Sequence, residues 1–290
     1  MANSKIDNKP NIARVDSHQH FWQLSRGDYH WLTPELSVLY QDFLPGQLAP
    51  DLEQQSINQT ILVQAAATEE ETHFLLKIAE NTRFVAGVVG WIDMEDVNAI
   101  TTLERLAQNP YFKGLRPMLQ DIDDVNWILN DKFNLIFEYM AKKQLTFDAL
   151  VNDVHLSNIK SIANRHTTLK IVIDHCAKPN LSTPLSRFWE RHITSIASCK
   201  NVYIKLSGLL TEAPHGQVDA NIIQPYVDHI IQEFGSNRIM WGSDWPVLKV
   251  NGNYDSWIEL TQLLLSKYTD EDKHKIWADN ARKFYQLPSH

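Results

Sequence analysis

Leu169-Lys170-Ile171-Val172-Ile173-Asp174-His175 is apolar on both faces of an extended chain and then stops on two ionisable groups. A strand wetted on one side alternates apolar with polar residues. One covered on both sides does not, and such strands belong to parallel sheets flanked by helices. This run is one of eight. β-rich stretches fall at 13–18, 60–66, 84–91, 112–118, 145–151, 169–175, 201–207 and 238–244. Their starts recur every 32 residues or so, about the length of a strand–helix unit. Between them lie amphipathic stretches. In 69–80, Phe74, Leu75 and Ile78 share a helical face, and Thr68 followed by three acids marks the start. In 221–234, Ile222, Ile223, Tyr226, Ile230 and Ile231 recur at helical spacing. Eight such units predict an α/β fold, a (β/α)8 TIM barrel, with a doubly wound open sheet as the rival. No compositional shift divides the chain, so 13–290 is expected to be one domain, preceded by a polar, disordered tail over 1–12.

Composition narrows the function. The 290 residues are 43% hydrophobic and 21% charged, which is ordinary for a globular chain and burdens no single class. With 35 acids against 27 bases the net charge is −8, and no basic stripe offers itself to nucleic acid. Two cysteines, Cys176 and Cys199, cannot make a disulfide scaffold or a multi-cysteine zinc site and suit a reducing compartment. No apolar run is long enough for a signal or a membrane span. The expectation is a cytoplasmic protein with no membrane or nucleic-acid partner; a homo-oligomer is left open.

The chemistry collects at strand ends. In Val15-Asp16-Ser17-His18-Gln19-His20 the two histidines are two apart, so on a strand they project together. His175 ends the sixth run, Asp244 the eighth, and Arg116 lies on the fourth. Each alone has a packing explanation, a core histidine, a helix cap or a surface arginine. Ionisable groups ending strong β-runs are nonetheless costly to bury without partners. In a barrel these ends meet at the C-terminal mouth, where active sites are built. Three histidines and a carboxylate, His18, His20, His175 and Asp244, are a natural zinc set. Without a metal they still form a hydrolytic site, Asp244 taking a proton from water while the histidines and Arg116 stabilise an oxyanion. The 19–50 segment, rich in Trp22, Tyr29, Trp31 and other aromatics, should lie over that mouth. Lys178 is placed for substrate contact, and Trp22, Trp91 and Trp245 for stacking on a ring. Cys176 is expected to face away from His175, Lys113 away from Arg116, and His155 has no assigned role.

The ordered runs VDSHQHFW (15–22), ILVQAAATEEETHFLL (61–76), VAGVVGWIDM (85–94), GLRP (114–117), LTFDALV (145–151), IVIDHCAKP (171–179), VYIKLSGLLTEA (202–213) and RIMWGSDWPV (238–247) resemble the amidohydrolase-2 type of the amidohydrolase superfamily. The resemblance is closer to the hydrolases that include L-fucono- and L-rhamnono-lactonases. It implies a distorted TIM barrel and water attack on an aldonolactone, a small-molecule substrate of carbohydrate metabolism. Carried over, Asp244, His175, His20 and Arg116 are catalytic, and His18, His20, His175 and Asp244 are the metal positions. Trp22, Gln64, Trp91, Asp148, Lys178 and Trp245 are substrate-binding candidates, Asp148 through the strand-5 motif. A fifth metal position from strand 4 or 5 is not filled. Lactonases of this kind occur with and without metal, so one divalent metal, zinc by ligand type, and metal-free hydrolysis both stay open. In the expected reaction His20 and His175, with or without metal, polarise the carbonyl, and Asp244 passes a water proton to the leaving ring oxygen. The alternative is a metal-dependent decarboxylase or cyclic amidase; a binding protein with a degenerate site is disfavoured because the polar positions are all present.

Overall fold

The computed structural model describes residues 14–288; the expected tail over 1–12 lies outside the described residues. Eight strands, β1 (Arg14–Gln19), β2 (Ile57–Val63), β3 (Val85–Gly90), β4 (Phe112–Leu115), β5 (Thr146–Ala149), β6 (Lys170–Ile173), β7 (Val202–Leu206) and β8 (Ile239–Trp241), pair in sequence order, every ladder parallel. Parallel neighbours need crossovers, and each strand is followed by a helix: Pro45–Gln54, Glu69–Asn81, Ala99–Leu106, Asn134–Lys143, Leu156–Arg165, Arg187–Ala197, Ala220–Phe234 and Tyr254–Leu264. The β8–β1 seam closes by isolated contacts instead of a ladder: Gln19 bridges Trp245, His20 N donates to Trp245 O at 2.7 Å, and Asp244 N to His18 O at 2.8 Å. The barrel is therefore nearly closed and distorted at the seam, as expected, and the open sheet is excluded.

Local chemistry explains the helices. The Thr68 hydroxyl accepts from Glu71 N at 3.1 Å, and three acids occupy the first turn of Glu69–Asn81, where the positive end of the helix dipole favours them. Asp219 caps Ala220–Phe234 in the same way, accepting from Asn221 N. Ile223, Tyr226 and Ile230 are buried as their spacing required. At the N-terminal end of the barrel Val15, Ile61, Val89, Val172 and Met240 form an apolar layer against Phe284 and Tyr285 of the final helix, Asn280–Tyr285. Lys113 lies at that end too, lining a groove with Tyr285 and Gln286, far from Arg116's partners.

Two departures from simple alternation position the site. The register of β1 against β2 shifts between Asp16 and Gln19. Val15 faces the barrel interior, Asp16 turns outward to accept from the Tyr254 hydroxyl at 2.8 Å, and the shift returns His18 to the interior. A strict period of two would have put Asp16 beside His18. The strands are also shorter than their apolar runs. β6 ends at Ile173 and β8 at Trp241, so His175 and Asp244 stand on turns above the last ladder pairs. His175, Cys176, Ala177 and Lys178 all have left-handed backbones (φ 49 to 58°), as does Asp244 (φ 60°). The chain folds over the mouth there because its carboxylate and imidazole groups find partners inside the barrel that a continued strand could not reach.

The 19–50 segment is ordered by its aromatics. Trp22 and Phe43 exchange backbone hydrogen bonds of 2.9 and 3.0 Å. The Trp22 ring meets Trp31 and Phe43 edge-on, and Trp245 meets Phe21 and Phe43 the same way. Residues 45–50 already belong to the first helix, where Pro45 takes the first position, so the connection is shorter than its sequence suggested.

Candidate active site

The mouth of the barrel holds a cavity of about 200 Å³ lined by His20, Trp31, Arg116, His175, Lys178 and Asp244 among others. The first, fourth, sixth and eighth units thus deliver their polar residues to one place. Asp244 Oδ1 lies 3.3 Å from His20 Nε2, 3.8 Å from His18 Nε2 and 3.9 Å from His175 Nε2. The two Nε2 atoms of His18 and His20 are 3.1 Å apart. Arg116 Nη2 donates to the Gln64 carbonyl, and its Nη1 stands 3.5 Å from both His18 Nε2 and Asp174 Oδ2.

Hydrogen-bond direction fixes what these rings can offer. His20 Nδ1 is 2.8 Å from the Val63 carbonyl. A carbonyl only accepts, so Nδ1 carries the proton and Nε2 of the neutral ring is bare. In that neutral form His20 can ligate or accept a proton and has no Nε2–H to offer a carbonyl oxygen. His175 Nδ1 meets the Ser207 hydroxyl at 2.9 Å, and a hydroxyl can serve either tautomer.

Burial decides the charges. It pulls the His175 imidazole down to about 4, and burial together with the Lys205 ammonium holds His18 well below its usual value. Burial alone would raise the Asp244 carboxyl, but the facing imidazoles outweigh it and hold the group well below the carboxylate range. At neutral pH the Asp244 carboxylate is ionised and the His18 and His175 rings beside it are neutral. A stability consequence follows. The unfolded chain's histidines protonate below about 6.5, whereas folded His175 resists until about 4. Its contribution is complete above pH 6.5 and is lost as pH falls toward 4, by about 3 kcal/mol from this group alone. The urea-denaturation difference between wild type and His175→Phe at pH 7, 5.5 and 4.5 should shift by that amount; a difference independent of pH would mean that folded His175 is already charged.

Beneath this ring lies a buried layer that sequence reasoning missed. Lys205, fully buried on β7, approaches Asp148 Oδ2 at 2.6 Å, Asp174 Oδ1 at 3.0 Å and His18 Nδ1 at 3.0 Å. Asp174 lies 3.5 Å from His18 Nδ1, and the Lys205 ammonium overrides the effect of burial to keep its carboxyl low. The available signal was a lysine inside the apolar run VYIKL, the counterpart of the aspartate inside LTFDA. Glu71, read only as a first-turn acid, is buried and accepts from Ala65 N and Ala66 N, bracing the wall that carries Ala65.

The remaining candidates divide. Lys178 lines the mouth; Trp91 lines an adjoining cavity of about 690 Å³ that shares Trp31, Ala65, Met118 and Asp121 with the first. Trp22 and Trp245 are fully buried in the aromatic cluster under the 19–50 segment and do not line the mouth cavity. Gln64 is buried, donating to the Arg116 carbonyl at 2.6 Å, and Asp148 lies inside the barrel, so neither lines that cavity either. Cys176 is not on a strand at all; it is buried on the left-handed turn against the Lys205 carbonyl, and burial pushes its thiol up to about 12, which leaves no nucleophile. His155 accepts from Asn152 N in a turn, a structural use.

Gly208 shows how tightly His175 is held. Its φ is +67°, and a Cβ there would lie 2.5 Å from His175 Nδ1. Gly208→Ala should cost about 1–3 kcal/mol in backbone strain and push the ring off Ser207. Turnover should fall at least about tenfold, since small displacements of positioned groups cost that much or more. Full activity in this variant would show that the His175 position is not needed.

The donor set suits a cation. Ligand atoms about 2.0–2.1 Å from a tetrahedral zinc are roughly 3.3–3.4 Å apart. The Nε2 atoms of His18 and His20 and Asp244 Oδ1 lie 3.1 to 3.8 Å apart. A parallel barrel carrying a His-x-His pair, a third histidine and an aspartate at its C-terminal mouth is the architecture of a hydrolase of the amidohydrolase type. The comparisons agree: the amidohydrolase family matches residues 15–287, and this chain belongs to that family. It is 39% identical over 94% of its length to an L-fucono-1,5-lactonase of Burkholderia ambifaria, 96% of which is covered, and 34% identical to an L-fucono-1,5-lactonase of Burkholderia multivorans, with 95% and 96% covered. The crystal structure of a Burkholderia multivorans amidohydrolase with bound zinc superposes with a TM-score of 0.90 at 32% identity, covering 95% of this chain and all of that one. No helix of the described residues is long and apolar enough to cross a membrane.

Proposed function

We propose that this protein hydrolyses an aldonolactone of the L-fucono-1,5-lactone kind. The observation that carries the reading is the Asp244 carboxylate, kept ionised at the floor of a cavity of about 200 Å³, with three imidazole Nε2 atoms within 3.9 Å and Arg116 beside them. A cavity of this size suits a single sugar ring, and the relatives of nearly equal length support the substrate class.

Arg116 binds the lactone carbonyl oxygen and offsets the charge that develops there. His175, held by Ser207, faces the same oxygen from the other side. Asp244 accepts a proton from the attacking water and returns it to the ring oxygen as the C–O bond breaks. Lys178 at the rim meets the sugar hydroxyls, and Trp91 in the adjoining cavity offers a face for the part of the substrate that projects from the mouth. A divalent metal, zinc by donor type, fits His18, His20 and Asp244 with His175 alongside, and when bound it would supply Lewis acidity to the carbonyl. Lactones are reactive esters, so the charged groups of the chain itself suffice for a measurable rate.

The test is a panel of aldonolactones followed with a pH indicator, before and after treatment with a chelator. L-Fucono-1,5-lactone should be among the best substrates. Failure on every sugar lactone, with turnover of a carboxylated or amide ring instead, would replace this reading.

A further inference from the structure

The buried layer under the site contains a chain of directional hydrogen bonds with a consequence for the metal. An ammonium only donates. Lys205 Nζ, 3.0 Å from His18 Nδ1, therefore needs that nitrogen bare, which leaves the His18 proton on Nε2. The next ring supplies an independent match. His20 has its proton on Nδ1, toward Val63 O, and a bare Nε2 that lies 3.1 Å from His18 Nε2. One Nε2 donates and the other accepts. The run Lys205 to His18 to His20 to the Val63 carbonyl is thus satisfied at every link. The opposite His18 tautomer would set two N–H groups against each other at Lys205 and two bare nitrogens against each other at His20. Two neighbours favour the bare form, Arg116 Nη1 at 3.5 Å from His18 Nε2 and Asp174 Oδ1 at 3.5 Å from His18 Nδ1; both stand at the limit of hydrogen-bond distance, against the 3.0 Å approach of Lys205 to Nδ1.

A cation needs the lone pair of His18 Nε2. We propose that Lys205 is a positioning residue that guards the metal site: it holds His18 in the tautomer that binds His20 and denies its Nε2 to a cation. Metal entry then requires the ring proton to move from Nε2 to Nδ1, Lys205 to withdraw onto its two carboxylates, and Asp174 Oδ1, 3.5 Å from Nδ1, to accept the relocated proton. No proton is gained or lost by the protein in this exchange. The cost of breaking the chain is subtracted from metal affinity. This holds whichever lactone the enzyme opens.

The direct test uses the full-length protein with 15N-imidazole histidine, stripped of metal by chelator. Long-range 1H–15N correlation should show His18 as the Nε2–H tautomer. An Nδ1–H tautomer for His18 in the stripped wild type overturns the proposal. The second readout is zinc affinity by competition with a chromophoric chelator. Lys205→Met should bind zinc at least tenfold more tightly, and Asp174→Asn at least tenfold more weakly. Because Lys205→Met leaves two buried carboxylates without a counter-charge, the Lys205→Met/Asp148→Asn double variant, which keeps the net charge, must tighten zinc as well. Tightening in the single variant alone would mean that loose carboxylates attract the ion, and the guard role falls. Should the variants fail to fold, the wild-type tautomer decides.

Discussion

Replacing Asp244 with asparagine should lower kcat about 10³-fold while leaving KM within a few-fold. The substitution is unusually clean. Asp244 sits at φ 60°, a region that asparagine tolerates better than other residues, so the turn survives. Its backbone bond to His18 O is untouched, and only the ability to take a proton is lost. Substrate binding, which rests on Arg116, Lys178 and the cavity walls, should persist. Near-normal turnover by the asparagine variant would remove Asp244 as the base and, with it, the proposed mechanism.

Asp148→Ala should cost about 3–5 kcal/mol of stability, because it breaks a buried ion pair, leaving Lys205 with Asp174 alone and two buried hydroxyls without their acceptor. Asp148 Oδ2 receives Lys205 Nζ at 2.6 Å and the Tyr285 hydroxyl at 2.5 Å, and its Oδ1 receives Thr146 Oγ1 at 3.2 Å, all without solvent. Tyr285 belongs to the last helix, which closes the N-terminal end of the barrel, so the loss should loosen that helix too. Denaturant unfolding reads the first effect and hydrogen exchange over Asn280–Tyr285 the second. The outcome also separates two roles for the residue. A substrate-binding Asp148 would raise KM in a stable protein; a barrel-interior Asp148 lowers stability and leaves KM alone in whatever fraction folds. A cost below about 1 kcal/mol would contradict the ion-pair account.

How much of this was legible beforehand follows from the range of each interaction. Burial on both faces leaves its mark within a few residues, so runs such as ILV (61–63) and KIVID (170–174) announced parallel strands and their regular spacing announced the barrel. His18, His20, His175, Arg116 and Asp244 were legible because a polar end to an apolar run is a local anomaly. The same rule, applied to the middle of a run, would have found Lys205 and drawn it together with Asp148. Trp22 and Trp245 were read as stacking surfaces from their nearness to the mouth in sequence, but rings that large bury each other first, and the cluster with Phe21 and Phe43 absorbs them.

Periodicity and composition alone therefore determined the class of fold, the order of its units and the end of the barrel where chemistry collects, since these depend on hydrophobic patterning along short stretches. Only the tertiary structure decided which way each histidine proton points, that Lys205 rather than a surface group neutralises the interior carboxylates, and that left-handed turns instead of strand ends carry His175 and Asp244. Those features arise from contacts between residues tens to more than a hundred positions apart, such as His20 with Val63, Lys205 with Asp148 and His18 with Lys205. Buried charges select their partners through space, and nothing in the neighbouring sequence records the choice.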